Sequence, residues 1–119
     1  MSKTIGIIGT RRRDTGEDFR KIEAAFLEIY EEGDIICSGL CPEGGDRFAV
    51  KLVKKYSTKK LWHPAKWKRY GRAAGPIRNT LVAKSSDILI ACVADDRTGG
   101  TEDTIEKYLK LGKTYLVIV

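Results

Sequence analysis

The chain is poor in the residues from which many active sites and scaffolds are built. Its 119 residues include one histidine and three cysteines, at Cys37, Cys41 and Cys92. An odd cysteine count in a chain with no secretory features argues against a disulfide framework. Cys37 and Cys41 are four apart, but no second pair follows, so a zinc site of about four ligands lacks its donors. With His63 as the one histidine and no GxSxG, a hydrolase triad has no place to form. GxGxxG is absent, since the first turn reads GIIGTRRR, and so is GxxxxGK[ST]. A dinucleotide fingerprint and a P-loop are therefore excluded. No apolar run approaches the ~20 residues that cross a bilayer. The N-terminal MSKTIGIIGTRRR lacks the order of a signal peptide. These absences predict a cytoplasmic protein with no membrane segment and no metal.

The sequence has no low-complexity stretch, repeat or linker, and its length suits one domain over residues 1–119. Formal net charge is +6. Much of the excess lies between Lys51 and Arg72, in Lys54, Lys55, Lys59, Lys60, Lys66, Lys68, Arg69 and Arg72. Such a stretch is either a solvated face or a surface for phosphate or nucleic acid.

Four short runs are almost wholly apolar: Ile5–Ile8, Ile35–Cys37, Ile88–Val93 and Tyr115–Val119. They lack alternation, the mark of strands covered on both faces. Lys59–His63 is a weaker fifth candidate. Helical spacing joins Phe19, Ile22, Phe26, Ile29 and Tyr30, with Asp14 or Thr15 as cap and Gly33 as stop. A second pattern holds Ala49, Leu52, Val53 and Tyr56. A third starts near Pro76, with Ile77, Leu81 and Val82. A fourth holds Ile105, Tyr108 and Leu109, acidic early, basic late, and closed by Gly112. Pro64–Gly75 is the longest irregular stretch. The alternation predicts a Rossmann-like α/β three-layer sandwich, with a five-stranded, mostly parallel sheet between helices.

In open sheets of this kind ligands bind beyond the carboxyl ends of the strands. Four segments would meet there. Gly9, Thr10, Arg11, Arg12 and Arg13 follow the first strand. Ser38, Gly39, Gly44, Gly45 and Asp46 follow the second. His63 and the aromatics Trp62, Trp67 and Tyr70 surround the end of the third. Asp95, Asp96, Gly99, Gly100 and Thr101 follow the fourth. Two glycine-rich helix entries on one rim suit phosphate, because a helix start offers unpaired N–H groups. Arginine grips phosphate with paired hydrogen bonds, and Arg78, beside Asn79, can join the arginines of the first turn. Asp46, Asp95, Asp96 and Asp103 are candidates for ribose hydroxyls or acid–base work, or else for helix caps. The aromatics either stack on a base or pin the long loop to the body.

Taken together, IGIIGTRRR, SGLCPEGGDRFA, HPAKWKRYGRAAGPIRN and DILIACVADDRTGGTEDTI resemble the SLOG superfamily, in particular its YspA / YpsA-related branch. The likeness covers nearly the whole chain. It implies a Rossmannoid fold and a site for nucleotides or nucleotide-derived molecules. It also relates the chain to ADP-ribose-type sensor domains, to the cytokinin-activating phosphoribohydrolases of the lysine-decarboxylase-like family, and to the DNA-processing protein DprA. The hydrolases carry PGGxGTxxE, whose last residue is the catalytic glutamate. Here the proline is missing and the glutamate position falls on Thr104. A catalytic set would then be Asp103 or Glu102 with Arg78, given a shifted helix start. The first expectation is a small-molecule sensor or binding module, as a homodimer, without other cofactor. The alternatives are a nucleoside-monophosphate phosphoribohydrolase and a single-stranded DNA binder.

Overall fold

The computed structural model describes residues 2–41 and 44–119. In chain order the elements are β1 (Thr4–Gly9), α1 (Gly16–Ile29), β2 (Ile35–Ser38), α2 (Gly45–Tyr56), β3 (Lys59–Trp62), α3 (Trp67–Tyr70), α4 (Ala74–Ser85), β4 (Ile88–Cys92), α5 (Gly100–Lys110) and β5 (Leu116–Ile118). The strands form one sheet in the order β3-β2-β1-β4-β5. Every pairing is parallel, with Thr4 opposite Ile35, Ile5 opposite Ile88, Ile35 opposite Lys59 and Leu89 opposite Leu116. A parallel sheet needs crossovers, and these lay α1 and α2 on one face and α4 and α5 on the other.

Side chains along a strand alternate between faces. Ile5, Ile7, Ile36, Ile90 and Cys92 therefore meet Ile22 and Phe26 of α1 and Phe48, Ala49 and Leu52 of α2. Ile8, Cys37, Leu89 and Ala91 meet Val82 and Ala83 of α4 and Ile105 and Tyr108 of α5. All five residues of β4 are buried, as a central strand with two covered faces requires. Thr15 caps α1 in a reciprocal capping box with Asp18.

The structure departs from the sequence reading at several points. The terminal apolar run gives only Leu116–Ile118 as strand, and Tyr115 and Ile118 are exposed because β5 is an edge. Leu81 and Leu109 point to solvent although their spacing fits an apolar face. Pro64–Gly75 is mostly structured: Trp67–Tyr70 is helical, Gly71–Ala73 is a 3-10 turn, and α4 starts at Ala74. Pro76 is the third residue of that helix, where a missing N–H costs nothing. Among the described residues no helix is long and apolar enough to cross a membrane.

Candidate anion-binding cleft

The strand order reverses beside β1: from it the chain moves first to β2 and β3, then crosses back to β4 and β5. The strand ends at such a point splay and leave a crevice. Here the exit of β1 is held to β4 by Thr10 N–H donating to the Cys92 carbonyl at 2.9 Å. A cleft of about 100 Å³ opens at this edge. Its floor is Ile8 and Gly9. Its walls come from Thr10 and Arg11, Gly39 and Cys41, Asp46 of α2, Arg78, Asn79 and Val82 of α4, and Gly100, Thr101 and Thr104 of α5. Residues from both ends of the chain thus gather in one hollow.

Two helices enter the cleft by their N-termini. α2 follows Gly44 and α5 follows Gly99, and neither has a side-chain cap. Gly99 has φ of 106°, a conformation that side chains rarely adopt. α1, which starts away from the cleft, has its cap in Thr15. α4 is preceded by the 3-10 turn, whose Gly71 carbonyl accepts from Ala74 N–H. The first N–H groups of α2 and α5 carry the positive ends of their helix dipoles.

Arg78 lies across Gly39, so closely that a Cβ at position 39 would stand 2.3 Å from Arg78 Cδ. Among the described residues its guanidinium makes no hydrogen bond or ion pair. Arg11, exposed at the rim, adds a second positive charge. Asp46 is the one carboxylate among the described lining residues, and it is 7% exposed. Its Oδ2 accepts from Cys41 N–H at 3.0 Å. Burial pushes its carboxyl up; the Cys41 N–H and the Arg78 charge oppose the rise without cancelling it. Thr104 Oγ1 donates to the Gly100 carbonyl at 3.3 Å, which puts a buried hydroxyl in the cleft wall.

Of the residues singled out in the sequence, the structure brings Gly9, Thr10, Arg11, Gly39, Asp46, Arg78, Asn79, Gly100 and Thr101 to the cleft. The others lie around it. Arg12 spans the rim, bonding Asp96 Oδ2 at 2.9 Å and both oxygens of Thr98 at 3.0 Å. That contact holds the Asp96 carboxyl down to about 2. Asp95 is exposed beside it. Ser38 is fully buried at the end of β2, and its hydroxyl lies beside the Asp46 carboxyl, where it helps to offset the effect of burial. Gly44 N–H donates to Asp14 Oδ1 at 3.0 Å, and Gly45 sits on the β1 backbone. Pro42 and Glu43 of the same loop lie outside the described residues.

Asp103 Oδ2 accepts from Asn79 Nδ2 at 3.0 Å and from Lys107 Nζ at 2.8 Å, bracing α4 against α5. Burial raises its carboxyl, but these two donors outweigh that and leave it below the ordinary value. Glu102 accepts from Arg97 Nε at 2.9 Å. His63 Nε2 meets Ser85 Oγ at 2.8 Å, and burial lowers its pKa. The sequence reading missed Cys41, Val82 and Thr104 in the walls. Thr104 was marked there only as the substituted glutamate position. Asp14, an alternative cap in the sequence reading, leaves that role to Thr15 and with Arg47 Nε at 2.8 Å anchors the α2 entry. An aspartate ahead of a capping threonine carries no sequence signal for a contact so distant along the chain.

No family model matches the chain, and no curated protein matches it. One solved structure is similar in fold: a molybdenum cofactor binding protein from the phototrophic bacterium Rippkaea orientalis. It superposes with a TM-score of 0.72 at 23% identity, over 99% of this chain and 76% of that one. At this identity the likeness establishes the Rossmann-like architecture.

Proposed function

We propose that the protein is a binding or sensor module for a phosphate-bearing small molecule, nucleotide or nucleotide-derived, held by its anionic end in the cleft. The observation that carries this reading is the convergence of two uncapped helix starts on Arg78, a cation that makes no hydrogen bond or ion pair among the described residues and whose charge is felt by Asp46 across the cleft. Each element offers positive potential, and together they suit an oxyanion that accepts several N–H bonds. The cleft volume of about 100 Å³ takes one such group. Whole ligands occupy roughly 300–1,000 Å³, so the rest of the molecule lies along the rim. Asp46, in the cleft wall, accepts from a hydroxyl next to the anionic group, the role of a ribose-binding carboxylate. That a chain of the same fold binds a small-molecule cofactor supports the class of ligand.

Catalysis is not part of this proposal. Thr104 brings no carboxylate to the wall, and Asp103 and Glu102 are engaged with Lys107 and Arg97. The test is thermal denaturation with AMP, ADP-ribose and cyclic nucleotides. A ligand at a hundred times its Kd adds about 2.7 kcal/mol, or roughly 10 °C in Tm for a domain of this size. Arg78→Gln should abolish the shift while the unliganded Tm stays near wild type. Absence of any shift across the panel overturns the reading.

A further inference from the structure

A cleft of about 100 Å³ has room for one anionic group and not for the body of a ligand, and an exposed aromatic ring packs on α4, one of the helices that line it. Trp67 opens α3 and is 56% exposed, far more than an indole placed only to pack a loop. Its ring edge reaches α4 at Gly75, where a Cβ would stand 3.4 Å from the indole. Gly75, Arg78 and Asn79 are three and four residues apart, so they share one helix face with about 5–6 Å between Cβ positions. The indole therefore stands one turn along that face from Arg78, whose side chain lines the cleft.

Neighbouring aromatics are engaged and Trp67 is not. Arg69 covers the Tyr70 ring at 5.2 Å. Trp62 packs against the core on the α1 and α2 side. Among the described residues Trp67 has no ring partner, no cation over its face and no acceptor for its indole N–H. A large apolar face left open beside a polar cleft favours a flat, π-bearing group.

We infer that Trp67 is the stacking platform for the aromatic ring of the ligand whose phosphate sits at Arg78, which makes the ligand class a phosphate joined by a short linker to a planar heterocycle. This rests on the anion site proposed above and adds a second subsite to it. Stacking needs only a π-face, so the ring identity is set elsewhere.

The experiment is isothermal titration of the full chain with ribose 5-phosphate, AMP and UMP, repeated for Trp67→Ala and Trp67→Phe. The anion subsite alone binds ribose 5-phosphate. The platform adds about tenfold in affinity for AMP over ribose 5-phosphate, from the worth of one stacked base. Trp67→Ala should remove that preference and leave ribose 5-phosphate affinity unchanged, and Trp67→Phe should keep most of it. UMP should show a smaller preference of the same sign. Equal binding of AMP and ribose 5-phosphate, or an AMP preference that survives Trp67→Ala, overturns the platform while the anion site stands. Failure of all three probes to bind overturns both. Far-ultraviolet circular dichroism of each variant separates a lost platform from a lost fold.

Discussion

Replacing Gly39 by alanine should damage binding and spare the fold. A methyl built at Gly39 comes within 2.3 Å of Arg78 Cδ, 2.9 Å of Nε and 3.1 Å of Cγ. Carbon atoms rest about 3.5–4.0 Å apart, so the arginine stem must retreat by more than about 1 Å. Arg78 is tied down by no hydrogen bond to a described residue, and its side chain can swing away at little cost in stability. Gly39 does not have positive φ, so alanine fits the backbone and stiffens the unfolded chain slightly. Tm should stay within a few degrees of wild type. The guanidinium, however, leaves its place at the anion. A hydrogen bond to a charged group is worth about 1.5–3 kcal/mol, so affinity for AMP should fall roughly 10- to 150-fold. Calorimetric titration measures the loss, and a double-mutant cycle assigns it. Once Arg78→Ala is present, Gly39→Ala should cost nothing further beyond about 0.5 kcal/mol. Gly45→Ala provides the contrast. Its methyl would stand 2.2 Å from the Ile8 carbonyl carbon and 2.3 Å from Gly9 nitrogen, the backbone of the central strand. Nothing there can swing aside, and overpacking should cost about 3 kcal/mol. Wild-type affinity in Gly39→Ala, or loss of fold equal to that of Gly45→Ala, would refute this account of how Arg78 is positioned.

Other outcomes follow from the same contacts. Iodoacetamide should label Cys41 alone in the native protein, since Cys37 and Cys92 are buried and burial lifts the Cys37 thiol to about 11; saturating AMP should slow that labelling, which mass spectrometry reads directly. Lys113 Nζ donates to the carbonyls of Ala83, Lys84 and Ser86 at 3.1, 2.7 and 2.7 Å, closing the end of α4. Lys113→Met should destabilise by about 1.5–3 kcal/mol in urea unfolding; a smaller effect than 0.5 kcal/mol would contradict it. Burial pushes the Asp34 carboxyl up, but bonds from the Lys3 ammonium, Lys3 N–H and Glu31 N–H outweigh this and leave it lowered. The hydrogen bond to Asp34 raises Lys3. A lowered acid stabilises above its unfolded pKa of about 3.9 and loses that contribution as pH falls through the folded value. A raised base stabilises below about 10.4 and loses it as pH climbs past the folded value. Asp34→Asn should therefore show its full cost near neutrality, and its gap to wild type should close as pH falls below the unfolded carboxylate value of about 3.9, measured as Tm against pH.

Sequence alone was enough for the architecture. Runs such as Ile5–Ile8 and Ile88–Cys92, without alternation, describe strands buried on both faces, and the 3.6-residue spacing of Phe19, Ile22 and Phe26 describes the helix between them. Parallel pairing and the convergence of the loops on one edge follow from that alternation, because each crossover returns the chain to the same side. The glycines before α2 and α5 marked the helix entries for the same local reason. What local pattern cannot carry is how the side chains divide their hydrogen bonds. Three arginines follow β1 in a row, yet Arg11 lines the cleft, Arg12 spans the rim to Asp96, and Arg13 turns away to Asp18 and Val119. Asp103 and Asp46 both stand in the first turn of a helix; one braces α4 and the other faces the cleft. Many of those assignments depend on partners far away in the chain, brought near by packing, and only the assembled layers determine which side chain each charge faces.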